Sequence, residues 1–168
     1  MSLLGPLQFV CLIGFALLLV VAAWQDLRTM RIADAVSLAI VAAFGVWALS
    51  GLAAGDTTLI TIGLAAGGAV AVFALGALGF AVGALGGGDV KLLAASSLFA
   101  GPALLPDFLM VTALAGGVLG LATLLGARVG PAASVGDASV AGRLRGSLAY
   151  GPAIAAGGLW VAVSLATS

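Results

Sequence analysis

The sequence predicts an all-α protein that crosses a membrane with about six helices and keeps both termini outside the cytoplasm. This prediction rests on the composition, the spacing of the apolar runs and the distribution of the basic residues. Of the 168 residues, 63% are hydrophobic and only 7% are charged, and the mean hydropathy is +1.31. Because soluble domains carry roughly a quarter charged residues, this composition is typical of a polytopic membrane protein.

Six runs of the chain approach the length of about 20 mostly apolar residues that a membrane-spanning helix needs. The predicted spans cover residues 6–24, 32–52, 57–85, 89–105, 107–127 and 148–167. The first run lacks the basic start of a signal peptide, so we expect it to be retained. The third exceeds the length that a bilayer requires, which favours tilt or bending. The fourth ends at Gly101-Pro102.

The glycines and the connections complete the predicted architecture. Glycines at four-residue spacing indicate close helix packing in lipid; these pairs are Gly63 with Gly67, Gly79 with Gly83, and Gly116 with Gly120. The longest connection, residues 128–147, is too short for a second domain. We therefore expect residues 1–168 to form one membrane-embedded domain.

All six basic residues fall in connections on one side of the predicted bundle. They are Arg28 and Arg31 after the first span, Lys91 at the start of the fourth, and Arg128, Arg143 and Arg145 between the fifth and sixth. The two remaining connections, near Asp56 and between Pro102 and Pro106, contain no Lys or Arg. Since cytoplasmic loops carry an excess of basic residues, this side is predicted to be cytoplasmic.

The composition also excludes several kinds of site. The chain has no histidine, so histidine metal sites and Ser-His or Cys-His catalytic pairs are ruled out. Its single cysteine, Cys11, lies in an apolar run and offers neither a disulfide nor a cysteine metal cluster. There is no basic tract of the kind that binds nucleic acid. We therefore expect no metal and no cofactor, and any chemistry must come from aspartate, hydroxyl, lysine, arginine or backbone groups.

Four of the six aspartates have simple structural explanations. Asp56 and Asp107 flank predicted helix starts on the outer side, where acids favour the helix N-terminus. Asp137 lies in the long inner connection and is expected to be solvated. Asp34 opens the second span, so we expect it to cap that helix.

Asp26 and Asp89 stand apart, because one ends the first span and the other begins the fourth, at the same predicted depth. Ionisable groups at membrane depth usually face a protein interior or a watery cavity. Two aspartates that meet can share one proton, which is the physical basis of aspartic proteolysis. A structural alternative stays open at this point: Asp26 pairs with Arg28 or Arg31, and Asp89 merely caps its helix.

The residues around Asp89 lead to three further expectations. Gly86, Gly87 and Gly88 lack a Cβ, which allows close backbone approach and positive φ at the site. Asp26 lies at a predicted helix C-terminus and Asp89 at an N-terminus, so the helix dipoles favour Asp89 as the ionised base and Asp26 as its protonated partner. Lys91 is expected to anchor on lipid phosphate, with an acidic group of a substrate or Asp26 as alternatives.

Three stretches of the chain contain recognisable motifs. "GGGD", Gly86–Asp89, matches the Gly-x-Gly-Asp signature of membrane-embedded aspartic proteases. "DLRTMRIADAVSL" from Asp26 and "GGGDVKLLAA" resemble the first-aspartate and second-aspartate motifs of the type IV prepilin peptidases, including the lysine of the second motif. "AYGPAIAAGGL" from Ala149 resembles the last-span motif. Three residues depart from the family pattern: Ala33 and Ala149 replace prolines, and Asp34 replaces asparagine.

The resemblance implies a membrane aspartic endopeptidase in the bacterial inner membrane, with its active site facing the cytoplasm. Asp26 and Asp89 would be catalytic; Gly86, Gly87, Gly88 and Lys91 would shape the site or bind substrate. The substrate would be a prepilin with a short basic leader in the cytoplasm and an apolar helix in the bilayer. Pilus assembly components would be further partners.

The resemblance is closest to the short branch associated with Flp/Tad pili. Longer members carry cysteine pairs that bind zinc and also methylate the product, so a chain with one cysteine is expected to cleave without methylating. Two alternatives remain. One is another Gly-x-Gly-Asp intramembrane protease, although the Pro-Ala-Leu motif of the presenilin-like enzymes is absent. The other is a non-catalytic membrane assembly or transport protein.

Overall fold

The computed structural model describes residues 4–125 and 149–167, and the secondary structure of these residues is entirely helical. Five helices follow one another along the chain: α1 Leu4–Thr29, α2 Asp34–Ala54, α3 Leu59–Ala81, α4 Gly87–Leu124 and α5 Gly151–Thr167. The first four are long and apolar enough to cross a membrane, and α5 is a shorter apolar helix. The prediction of an all-α chain with helices apolar enough to span a membrane is therefore confirmed for the described residues, whereas the count of six spans and the side of the termini stay predictions.

Helix α4 is divided at Gly101, whose φ of 55° and ψ of −171° are not helical. This backbone region is essentially restricted to glycine, and Pro102 follows it directly. A straight helix would hold Leu124 about 50 Å from Asp89, yet the two residues line one cavity. The chain therefore reverses at Gly101, and residues 87–100 and 102–124 form two segments. The predicted helix end at Gly101-Pro102 is confirmed.

The helices pack in the order α2, α1, α5, α4 and α3, and α2 also contacts α4. An aromatic cluster joins α1, α2 and the first segment of α4: Phe15 stacks on Phe99 at 4.2 Å between ring centroids, and Phe44 meets Phe99 edge-on at 5.5 Å. Phe15 and Phe99 are fully buried. Such ring pairs contribute about 0.5–1.5 kcal/mol each beyond burial, so this cluster fixes how α4 sits against α1 and α2.

Some glycines serve close helix packing, but the predicted pair Gly63 and Gly67 does not. A Cβ on Gly76 would lie 2.9 Å from Val90, and one on Gly158 would lie 2.5 Å from Leu19. Both glycines therefore allow side chains of a neighbouring helix to approach their backbone. Gly63 and Gly67 have no such neighbour within 4 Å, so the packing prediction was wrong for this pair. The two glycines lie on one face of α3, and no other described part of the chain covers that face.

The two ends of the bundle differ in charge. Arg28, Arg31 and Lys91 lie at the end where α1 finishes and α4 begins. At the opposite end, Thr57 and Pro102 line one cavity, and neither connection there carries a basic residue. The described basic residues thus share one end with Asp26 and Asp89. Arg128, Arg143, Arg145 and Asp137 lie outside the described residues.

Candidate active site

Asp26 lies in the last turn of α1 and is buried, with 5% of its surface exposed. Its Oδ2 accepts a hydrogen bond of 2.6 Å from the backbone N–H of Gly151, the first residue of α5. The first N–H groups of a helix have no partner within that helix. Asp26 supplies the missing acceptor from another part of the chain, and the bond joins the end of α1 to the start of α5.

Gly151 allows this contact because it has no side chain. A Cβ at this position would lie 2.7 Å from the Cβ of Asp26 and 2.8 Å from its Oδ2. Carbon atoms do not approach so closely, so any larger residue would displace the carboxylate or the start of α5. Sequence reasoning did not assign Gly151 a role. The sequence feature that could have indicated a role is the position of Gly151 in the Tyr150-Gly151-Pro152 stretch of the last-span motif.

Asp89 is the third residue of α4, and its two oxygens have different surroundings. Oδ2 accepts the backbone N–H of Gly86 at 3.2 Å, which caps the helix. Oδ1 is buried and has no hydrogen-bond partner within the described part of the chain. Capping therefore accounts for one oxygen of this carboxylate and leaves the other available for a further interaction.

The structure brings Asp26 and Asp89 to the same end of the molecule, because Asp26 accepts the N–H of Gly151 and the preceding residue, Tyr150, lines one cavity together with Asp89. No ion pair joins Asp26 to Arg28 or Arg31 among residues 4–125 and 149–167. Arg28 instead lies over the ring of Trp24, 4.3 Å from its centroid. The arginine pairing considered as a structural alternative is therefore not formed.

Helix direction does not distinguish the two carboxylates as expected. Asp26 ends α1, but it also faces the N-terminus of α5 through Gly151. Asp89 sits at the N-terminus of α4. Both carboxylates thus accept a backbone N–H at the start of a helix, and the difference that favoured Asp89 as the ionised member is absent.

Two of the three glycines before Asp89 allow close approach, as expected. A Cβ on Gly86 would lie 2.7 Å from Oδ2 of Asp89, and one on Gly88 would lie 3.2 Å from the Cβ of Ile32. Gly87 makes only ordinary contact with the ring of Phe80, at 3.6 Å. The expected positive φ does not occur at these residues and is found instead at Gly83, with φ of 72°.

Lys91 binds Asp34 rather than Asp26. Its Nζ lies 2.8 Å from both carboxylate oxygens of Asp34, on a surface where both side chains are substantially exposed. Asp34 was expected to cap α2, but the N-cap of that helix is Ala33 and no side chain caps it. The ion pair therefore ties the start of α2 to the start of α4.

The connection between α1 and α2 is held by Gln25. Its Oε1 accepts the backbone N–H of Ala33 at 3.2 Å. Ala33 has φ of −67°, which is the value that a proline ring imposes. The residue that replaces the family's proline therefore keeps its backbone shape and gains a hydrogen bond that proline could not donate.

A cavity of about 700 Å³ opens beside Asp89 and also contacts Tyr150, the neighbour of Gly151. Asp89 thus borders a space that another molecule could enter. Within residues 4–125 and 149–167, no three His, Cys, Asp or Glu side chains are grouped so that they could hold a metal ion.

Comparison with known proteins gave one family. A family model described as the type IV leader peptidase family matches residues 13–121. The match covers more than half of the chain and includes Asp26 and Asp89. No curated protein sequence and no solved structure matches the chain.

Proposed function

The chain belongs to the type IV leader peptidase family, and on that premise we propose that it removes the short cytoplasmic leader of Flp/Tad-like prepilins at the inner face of the bacterial inner membrane. The family supports a membrane peptidase of the leader peptidase type. The Flp/Tad branch, the leader as the part removed, and Asp26 and Asp89 as catalytic groups are parts of this proposal.

The proposal depends mainly on the relation between Asp26 and Asp89. The two carboxylates come from helices that are distant in sequence, yet the start of α5 links them: Gly151 contacts Asp26, and Tyr150 lines one cavity with Asp89. Asp26 is fixed by the backbone of Gly151, and Asp89 keeps one buried oxygen without a partner. A fixed carboxylate beside a partly uncommitted one is a suitable arrangement for sharing one proton.

Such a pair hydrolyses a peptide bond by general acid–base catalysis. The ionised carboxylate takes a proton from water, and the water oxygen bonds to the carbonyl carbon while the protonated carboxyl gives its proton to the carbonyl oxygen. As the resulting tetrahedral intermediate collapses, the C–N bond breaks. The hydroxyl proton returns to one carboxylate, and the other carboxyl protonates the departing nitrogen. Both groups end in their starting forms, so no cofactor is consumed.

Location at the inner face is supported by charge. The described basic residues lie at the same end as the two carboxylates, and basic connections are typically cytoplasmic. A substrate with a basic leader in the cytoplasm and an apolar helix in the bilayer would present its junction at this depth.

Co-expression with a candidate Flp-type prepilin tests the proposal. We expect Asp26→Asn and Asp89→Asn each to reduce leader removal by at least about 100-fold, since each removes one acid–base group. Asp56→Asn and Asp107→Asn make the same chemical change at exposed positions away from the site and should cleave like the wild type. The readout is the mobility shift of the processed pilin.

Two outcomes would redirect the assignment. If the wild type and both site variants process the prepilin equally, the dyad is wrong. If the wild type processes no prepilin but cleaves remnant membrane segments, another Gly-x-Gly-Asp protease is favoured. Loss of pilus assembly without any loss of cleavage in the same variants would favour the non-catalytic alternative.

A further inference from the structure

The cavity beside Asp89 is bounded on one side by a helix face that includes three glycines. Residues of the second segment of α4 line it along its length, among them Gly116, Gly117 and Gly120, and Tyr150 closes one wall. We call the space bounded by Asp89, these three glycines and Tyr150 the glycine groove.

Two of these glycines have no packing partner in the described part of the chain. A Cβ on Gly117 or Gly120 would meet no atom of residues 4–125 and 149–167 within 4 Å. Gly116 differs, since a Cβ there would lie 3.7 Å from the ring of Tyr150 and from Ala153. The predicted Gly116–Gly120 packing pair thus has a neighbour at Gly116 only. A glycine surface in lipid normally allows another helix to approach closely, and at Gly117 and Gly120 the described chain provides no such helix.

The groove has the length and polarity of a binding site for a membrane helix. Its wall runs from Leu109 to Leu124, which is about 22 Å along a helix and most of the roughly 30 Å hydrocarbon core. The lining is predominantly apolar. Its carboxylate, Asp89, keeps Oδ1 buried without a partner.

We propose that the glycine groove binds the apolar helix of the substrate, with the cleavage junction beside Asp89. This inference rests on the proposed function and deepens it, because it names the surface that receives the membrane part of the substrate. A peptide backbone carries N–H groups that can donate to a carboxylate such as Asp89, and a lipid tail has no such groups. A helix also gains more than a lipid tail from Gly117 and Gly120, because two backbones can then approach closely.

Filling the groove tests this proposal. We expect Gly117→Leu and Gly120→Leu to lower cleavage of the full-length prepilin by about tenfold or more through a raised KM, because the added side chains occupy the helix path. Gly63→Leu and Gly67→Leu are matched controls, since a Cβ at either position also meets open space but lies on α3. Both controls should cleave at the wild-type rate.

A second substrate separates docking from damage to the site. A synthetic peptide that spans the cleavage site but lacks the apolar helix should be hydrolysed equally by the groove variants and the wild type. Equal cleavage of the full-length prepilin by all four variants would overturn the proposal. So would a loss that is the same for the peptide and the prepilin.

Crosslinking gives a result that does not depend on hydrolysis. In a Cys11→Ala background, Gly120→Cys should form a disulfide with a single cysteine placed in the first turns of the prepilin helix, whereas Gly63→Cys should not. Occupation of the groove by lipid or by residues 126–148 predicts no crosslink and would refute the proposal. If the wild type cleaves no prepilin but the crosslink forms, the proposed function fails while the binding surface stands.

Discussion

At the scale of single residues, the contact between Asp26 and Gly151 is the feature that the sequence could not reveal. The type and position of Asp26 marked it as unusual, because an acid ended an apolar run. Its partner is a backbone N–H 125 residues away, and backbone donors leave no trace in residue type. The only visible trace of the contact was the glycine itself, which has no room for a Cβ.

Gly151→Ala should therefore reduce catalysis by about 100-fold, because the new Cβ displaces the carboxylate of Asp26 and misplacement by about 1 Å carries a cost of this size. The measurement is the rate of prepilin cleavage by purified protein in detergent. Gly45→Ala, which adds a Cβ in open space on α2, is the matched control and should behave as wild type. A Gly151→Ala protein with normal cleavage would show that Asp26 does not need this position.

At the scale of elements, the break in α4 and the turn between α1 and α2 depend on different kinds of residue. Gly101 uses a backbone conformation that glycine alone adopts readily, and the following proline reinforces the end of the helix. The turn between α1 and α2 uses Gln25 as an acceptor and Met30 at φ of 52°. The Gly-Pro pair is readable in a sequence, which is why the break in α4 was predicted correctly. The hydrogen bond to Gln25 cannot be predicted from the sequence, because its partner depends on the turn that this bond helps to form.

The turn gives a prediction about Ala33→Pro. Proline fits the φ of −67° and reduces the freedom of the unfolded chain, which offsets the lost hydrogen bond to Gln25. Gln25→Ala should lower the free energy of unfolding by about 0.5–1 kcal/mol in the wild type and by almost nothing in the Ala33→Pro background. The measurement is the unfolding, in mixed detergent micelles, of the wild type, the two single variants and the double variant. An equal loss in both backgrounds would mean that Gln25 acts through another contact.

At the scale of the whole molecule, composition and loop charge predicted most of the architecture and little of the detailed packing. Hydropathy identified every described helix, and the basic residues located the end that holds Asp26 and Asp89. Gly63, Gly67 and Gly120 show the limit, since spacing cannot reveal whether a partner helix is present. Lys91 shows the same limit for charge, because several acids were possible partners and only the fold selects Asp34.

The predicted orientation can be tested at the two ends of α2. Ala33→Cys and Ala54→Cys place the same residue at exposed positions flanking one helix, about 30 Å apart. In a Cys11→Ala background, a membrane-impermeant maleimide should label Ala54→Cys in intact cells and Ala33→Cys only after permeabilisation. The reverse pattern would place Asp26 and Asp89 on the outer side and contradict the proposed location.

The hydrogen bond from Gly151 to Asp26 also has a consequence for biosynthesis. Both carboxylates are synthesised well before Gly151, whose N–H fixes Asp26 and belongs to α5. A nascent chain therefore carries Asp26 through the translocation machinery without the group that fixes it. Proteolytic competence would be acquired only when the final helix inserts, so the unfinished enzyme would not cleave neighbouring membrane proteins during its own assembly.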